Sequence, residues 1–97
     1  GGGLLNNILR VVPNNFCLNV DLSKIKVKPI FKWLKEKNIS EKEMLNTFNC
    51  GIGFCLIVKR NNINKIKKYF TKDYIPYEIG YISKDKKRFN LFKNIQW

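Results

Sequence analysis

Two glycine-bearing turns carry the residue patterns in this sequence that could hold a ligand. Gly1-Gly2-Gly3 stands directly ahead of an apolar segment with helical spacing. Glycines there let the backbone approach a ligand closely, and the first-turn amides with the helix dipole favour an anion such as phosphate. The bland alternative is a remnant of an expression tag, and the residue types admit both. The second turn is Thr47-Phe48-Asn49-Cys50-Gly51-Ile52-Gly53. Gly51 can take a positive φ, and Gly53 inside an expected strand suggests something passing close to the backbone. Helix-to-strand packing against Gly53 would explain the same residues without a ligand.

The rest of the sequence is poor in reactive groups. It has no His, so a Cys–His or Ser–His pair within the chain is excluded. Cys17, Cys50 and Cys55 form no Cys-x-x-Cys pair, which argues against a structural zinc site, and no metal site is expected. Their odd number and apolar surroundings predict reduced, mostly buried thiols of a cytosolic protein. No acid stands out as a general base. Glu36, Glu41 and Glu43 fall on exposed helix positions or in a cap, Asp21 and Asp73 are isolated, and Glu78 is expected to face solvent from a strand.

The elements that must position the two turns follow from periodicity. Leu4, Leu5, Ile8, Leu9, Val11 and Val12 predict a helix over 3–12 closed by Pro13. Alternation from Phe16 to Leu22 predicts a half-buried strand, with Cys17, Asn19 and Asp21 on its outer face. Pro29 opens a second helix over 29–37, with Ile30, Phe31, Trp33 and Leu34 as its packing stripe and Asn38 at its end. Ser40-Glu41-Lys42-Glu43 is a capping box for a third helix ending near Thr47 or Phe48. Ile52 to Lys59 is apolar on nearly every residue, as a central strand covered on both faces would be. A fourth helix follows Asn61-Asn62, with Ile63, Ile66, Tyr69 and Phe70 inward. Tyr77–Ser83 and Arg88–Lys93 read as two more strands joined by a charged turn. The fold class is α+β: a small mixed sheet with flanking helices, in one domain.

Charge has two readings. Nineteen Lys and Arg against seven acids give a net charge of +12, which could be the footprint of a nucleic-acid binder. Sixteen of those cations are Lys, however, and Asn and Ile are also in excess, the pattern of AT-rich coding. Phosphate and base recognition favours Arg forks, and only Arg10, Arg60 and Arg88 are present. Tyr69, Phe70, Tyr77 and Tyr81 read as core or sheet residues and not as stacking platforms. A general attraction to anionic ligands survives either way. No apolar run approaches the roughly 18 residues needed to cross a bilayer, and no membrane association is expected.

The same two turns resemble a known family. Residues 1–13, Gly-Gly-Gly-Leu-Leu-Asn-Asn-Ile-Leu-Arg-Val-Val-Pro, resemble the AIR synthetase (phosphoribosylformylglycinamidine cyclo-ligase) segment T-G-G-G-L-x-x-N-I-x-R-x-L-P. Residues 43–53, from Glu43-Met44 through Thr47-Phe48-Asn49 to Gly51 and Gly53, resemble its E-M-x-x-T-F-N-x-G-x-G block. Phe31-Lys32-Trp33-Leu34 fits the helix between them, and Tyr77-Glu78-Ile79-Gly80 falls on its x-x-I-G strand. Two blocks in the right order at the right separation make the signal specific, over residues 1 to about 83. The chain departs from the family at Asn46, often Arg there, and at Phe54, often Met, so position 46 offers a phosphate no cation.

The resemblance implies a single partial domain, residues 1–97, forming the last part of the AIR synthetase C-terminal domain. It implies a cytoplasmic homodimer that spends ATP with Mg²⁺ to close the imidazole ring of aminoimidazole ribonucleotide from formylglycinamidine ribonucleotide. ATP and Mg²⁺ belong to the full-length parent, bound largely by an N-terminal domain missing here, and none is expected on this piece, which is expected to be inactive alone. Gly1, Gly2 and Gly3 match the glycine run expected to face substrate phosphate. Asn49, Gly51 and Gly53 match a turn on the cleft side. Chain length and the absence of an initiator Met agree with a piece cut from something longer, and such a piece should show an apolar face left bare. The competing expectations are a stand-alone basic module binding RNA or another anion, and a non-catalytic interaction domain of the same superfamily.

Overall fold

The computed structural model describes residues 2–97, so Gly1 lies outside the described residues. Among them the chain forms four helices and a three-stranded mixed sheet, as the α+β reading expects. Helix α1 spans Gly3–Leu9, strand β1 Phe16–Asp21, helix α2 Pro29–Lys35, helix α3 Glu41–Thr47, helix α4 Ile63–Lys67, strand β2 Gly80–Lys84 and strand β3 Phe89–Phe92. Short 3₁₀ turns sit at Leu22–Lys24, Arg60–Asn62 and Lys72–Tyr74. Helix α3 begins as its sequence dictates: the Ser40 hydroxyl accepts the Glu43 amide at 3.2 Å. Asn38 takes φ 64° after α2, the left-handed conformation that Asn tolerates at a helix end.

Strand β1 is the centre of the sheet. It pairs antiparallel with β2, Leu18 opposite Ile82, and parallel with β3, Val20 opposite Leu91. The charged turn after β2 therefore does not close a hairpin. It passes the start of β1, where the Asp85 amide donates to the Asn15 carbonyl and the Leu18 amide to the Arg88 carbonyl, each at 2.9 Å. The Arg88 guanidinium donates to the carbonyls of Leu9, Val12, Pro13 and Phe16 at 2.7–3.3 Å. Its five fixed donors suit a cluster of converging carbonyls that Lys could not serve. Arg88 thus ties the end of α1 and the start of β1 to the crossing.

The core joins α1, β1 and α3. Leu4, Leu5 and Ile8 of α1 pack with Leu18 and Val20 of β1 and with Met44 and Leu45 of α3. Val20 and Met44 are fully buried, and each such side chain contributes roughly 1.5–3 kcal/mol by leaving water.

Several expectations are corrected. Cys17, Asn19 and Asp21, read as an outer face, are all buried. Asn19 can be buried because its amide donates to the Cys17 and Tyr81 carbonyls and the Ser83 hydroxyl, and its oxygen accepts from Asn90. The predicted central strand at 52–59 is not one: it joins no ladder among the described residues, and Phe54 is 83% exposed. Its composition asks for cover on both faces, and the described residues supply only part of it: Ile52 packs against the core, while Leu56, Ile57 and Val58 stay 48, 50 and 39% exposed. On α2 only Phe31 and Leu34 pack against the core, while Ile30 and Trp33 face outward. Tyr69 and Phe70 are exposed instead of inward, and so is Cys55, whereas Tyr81 is a sheet residue of β2 and half exposed.

Candidate functional site

The first glycine turn is built for close packing. Gly2 at φ 101° and Gly3 at φ 63° lie in the left-handed region, where a side chain is strained. A Cβ on Gly3 would stand 2.4 Å from the Leu45 carbonyl oxygen and the Asn46 carbonyl carbon. Its absence lets α1 rest on the backbone of α3, and the Leu4 amide donates to the Phe48 carbonyl at 3.2 Å. Asn46, the position without the family's cation, contributes its backbone to that contact. The Asn7 amide nitrogen donates to the Gly3 carbonyl at 2.6 Å, placing its side chain beside the turn.

The second turn is anchored below and open above. Cys50 is fully buried at φ 55°, its thiol donating to the Met44 carbonyl at 3.8 Å. The Asn49 carboxamide oxygen accepts the Gly51 amide at 2.9 Å, and the Ile52 amide returns to the Asn49 carbonyl at 3.0 Å. Such side-chain-closed turns suit Asn. Gly51 takes the expected positive φ, 106°, and faces away, since a Cβ there would meet the Lys28 side chain at 2.7 Å. Gly53 has nothing within 4 Å of the position a Cβ would take, so the packing explanation for this glycine fails.

Both turns meet at one cleft of about 330 Å³. Gly3, Leu4, Asn7 and Ile8 of α1 line it together with Asn49, Ile52, Gly53, Phe54 and Cys55 from the second turn and the residues after it. Of the predicted site residues, Gly3, Asn49 and Gly53 line it. Gly2 is the residue before α1 and Gly51 lies behind the turn, so neither is in the lining. Asn7, Phe54 and Cys55 also line it and were not among the predicted site residues. The N-I pair of the first family block does mark Asn7-Ile8, and that was the signal for Asn7.

The lining is neutral: carboxamides, backbone, apolar side chains and one thiol. Desolvation raises the Cys55 pKa above the ordinary thiol value although the residue as a whole is exposed, so the thiol stays protonated at neutral pH. The cleft lining holds no carboxylate, the protein group through which Mg²⁺ is usually anchored, and among the described residues no three His, Cys, Asp or Glu gather to hold a metal. Asp21 lies elsewhere, on a smaller depression with Lys24 and Glu78. It is not isolated. The Ser23 hydroxyl, 2.6 Å away, is the main cause of its lowered pKa, helped by the Ser23 amide and by Lys93 at 3.4 Å. Among the described residues no helix is long and apolar enough to cross a membrane.

Comparison with known proteins bears on this cleft. The profile of the family described as AIR synthase related protein, C-terminal domain, matches residues 1–91, which include both turns. The trifunctional purine biosynthetic protein adenosine-3 of Gallus gallus is 46% identical over 81 residues. Those residues are 82% of this chain and 8% of that protein, so the chain spans less than a tenth of the relative's length.

Proposed function

The chain belongs to the AIR synthase-related family through its C-terminal domain, and from that premise we propose that it is one wall of the substrate cleft of a phosphoribosylformylglycinamidine cyclo-ligase. The observation that carries the proposal is the meeting of two glycine-bearing turns, forty-odd residues apart in sequence, at a single cleft. In this reading the chain is a partial domain of a cytoplasmic homodimeric parent acting in purine biosynthesis. The parent's N-terminal domain supplies the opposite wall.

The neutral lining defines the chain's part. Asn7 and Asn49 present carboxamides, which orient a polar substrate by hydrogen bonds without competing for its charge. Gly53 leaves space above the backbone where a substrate group fits against the main chain. Gly3 borders this space on what we read as the substrate's phosphate side, with Gly2 just ahead of it in the chain, and Gly51 holds the second turn in shape. The residues present do not fit Mg²⁺, so ATP and its metal are assigned to the rest of the parent and no step is routed through them. The chain binds and orients, and it is inactive alone.

The test is a titration of the chain with formylglycinamidine ribonucleotide over a salt series, with single-stranded RNA alongside. Saturable nucleotide binding, weakened by Gly53→Val while the melting temperature holds, is the expected result. Binding unaffected by that substitution would remove the cleft from the proposal.

A second reading, the basic module that binds RNA, is favoured by one observation. Tyr69 and Tyr74, 83% and 75% exposed, stand among Lys65, Lys67, Lys68 and Lys72, a combination of aromatic surface and cations suited to single strands. RNA binding alone, with affinity falling steeply as salt rises, would promote it.

A further inference from the structure

Ile52 to Val58 is seven residues without a charge, in a chain where 27% of residues are charged. Phe54, Leu56, Ile57 and Val58 are 83, 48, 50 and 39% exposed, on both parities of the segment. The nearest backbone hydrogen bonds are Ile52 amide to Asn49 carbonyl before it and Asn62 amide to Lys59 carbonyl after it. Residues 53–58 themselves make no backbone–backbone hydrogen bond to a described residue. An apolar segment with unpaired amides and carbonyls is a template for strand addition.

We propose that residues 53–58 receive an extended β-strand from a partner polypeptide with acidic flanks. The inference rests on the reading of this chain as part of a larger enzyme and names the surface through which the rest of it joins. Three observations select the occupant. The segment runs into Lys59-Arg60, and the whole chain carries +12, so an acid-flanked strand is attracted where a second copy of this chain is repelled. Pairing with a second copy would also yield a two-stranded ribbon still bare on both apolar faces, whereas a larger partner brings its own cover. Finally, more than nine-tenths of the Gallus gallus relative lies outside the matched region, ample polypeptide to supply such a strand in the same protein. Phe54 and Cys55 also line the cleft, so the incoming strand abuts the site it helps to close.

The test is hydrogen exchange on the 97-residue chain, alone and with a short synthetic peptide of alternating valine and threonine ended by glutamates. Alone, amides 53–58 should exchange without protection, and the peptide should slow them roughly tenfold or more. Ile57→Lys should abolish that slowing while exchange in β1 stays native-like, which separates lost docking from lost fold. Three results would overturn the proposal: protection that rises with the chain's own concentration, equal protection by a lysine-ended peptide, or no protection in a chain whose β1 is intact. Nucleotide binding read on the same samples keeps the two ideas apart. If it persists while the peptide fails to bind, the docking surface falls and the substrate cleft stands. The reverse pattern removes the cleft and leaves the docking surface.

Discussion

Strand β1 and the segment 52–58 are both rich in apolar residues, yet one became the middle of a sheet and the other lies bare. The better strand candidate by composition is the second, since β1 carries Asn19 and Asp21. What β1 has is neighbours: β2 and β3 complete its ladders, and Ser83, Asn90, Ser23 and Lys93 satisfy its polar side chains. An apolar run reports a demand for cover. It does not report whether the cover is in the same chain.

That contrast can be broken most forcefully at Val20. Val20→Lys would place an unpaired charge in a fully buried site, so it should cost more than about 4 kcal/mol and abolish the cooperative unfolding transition. A folded, stable variant would mean that β1 is not the centre of the core. The glycines repeat the contrast on a smaller scale. Gly3→Ala should cost roughly 2–3 kcal/mol in denaturant unfolding, because its φ is positive and its Cβ would collide with the backbone of α3.

Acid titration sharpens the account of β1's polar face. Asp21 has a folded pKa below its ordinary value of 3.8, so its contribution to stability is complete above that value. It is lost as pH falls through the lowered folded pKa. Urea midpoints measured down a pH series should therefore drop more steeply for the native chain than for Asp21→Asn, and parallel curves would show that the Ser23 and Lys93 contacts contribute nothing. At the bare segment the effects should nearly vanish. Ile57→Lys and Gly53→Ala should each stay within about 0.5 kcal/mol of the parent in the same unfolding assay. A loss beyond 1 kcal/mol from either, roughly, would mean that the segment is already part of the core.

Much of the local structure was legible. Alternation from Phe16 gave β1 to within a residue, and Ser40 with Glu43 announced α3. The sheet order was not legible, because the turn at 85–88 looks like any hairpin loop. Its crossing depends on the carbonyls that Arg88 gathers from the far end of the sequence. The burial of Asn19 was hidden for the same reason, since its partners lie on strands more than sixty residues away. Within the site, the glycines were legible as residue types. Their meeting was not, because it follows from the packing of α1 on α3 at Gly3.

The central position of β1 has a consequence for how the chain acquires its structure. The Asn19–Ser83 bond spans 64 residues and the Arg88–Phe16 bond 72, so the sheet has a high contact order and closes its longest loops last. During synthesis, β1 leaves the ribosome long before either strand that will flank it. The helical half can gather early, but the sheet must await nearly the whole chain. Through that interval β1 is as unpaired as residues 53–58 remain afterwards, and two sticky segments are on offer to chaperones or to each other.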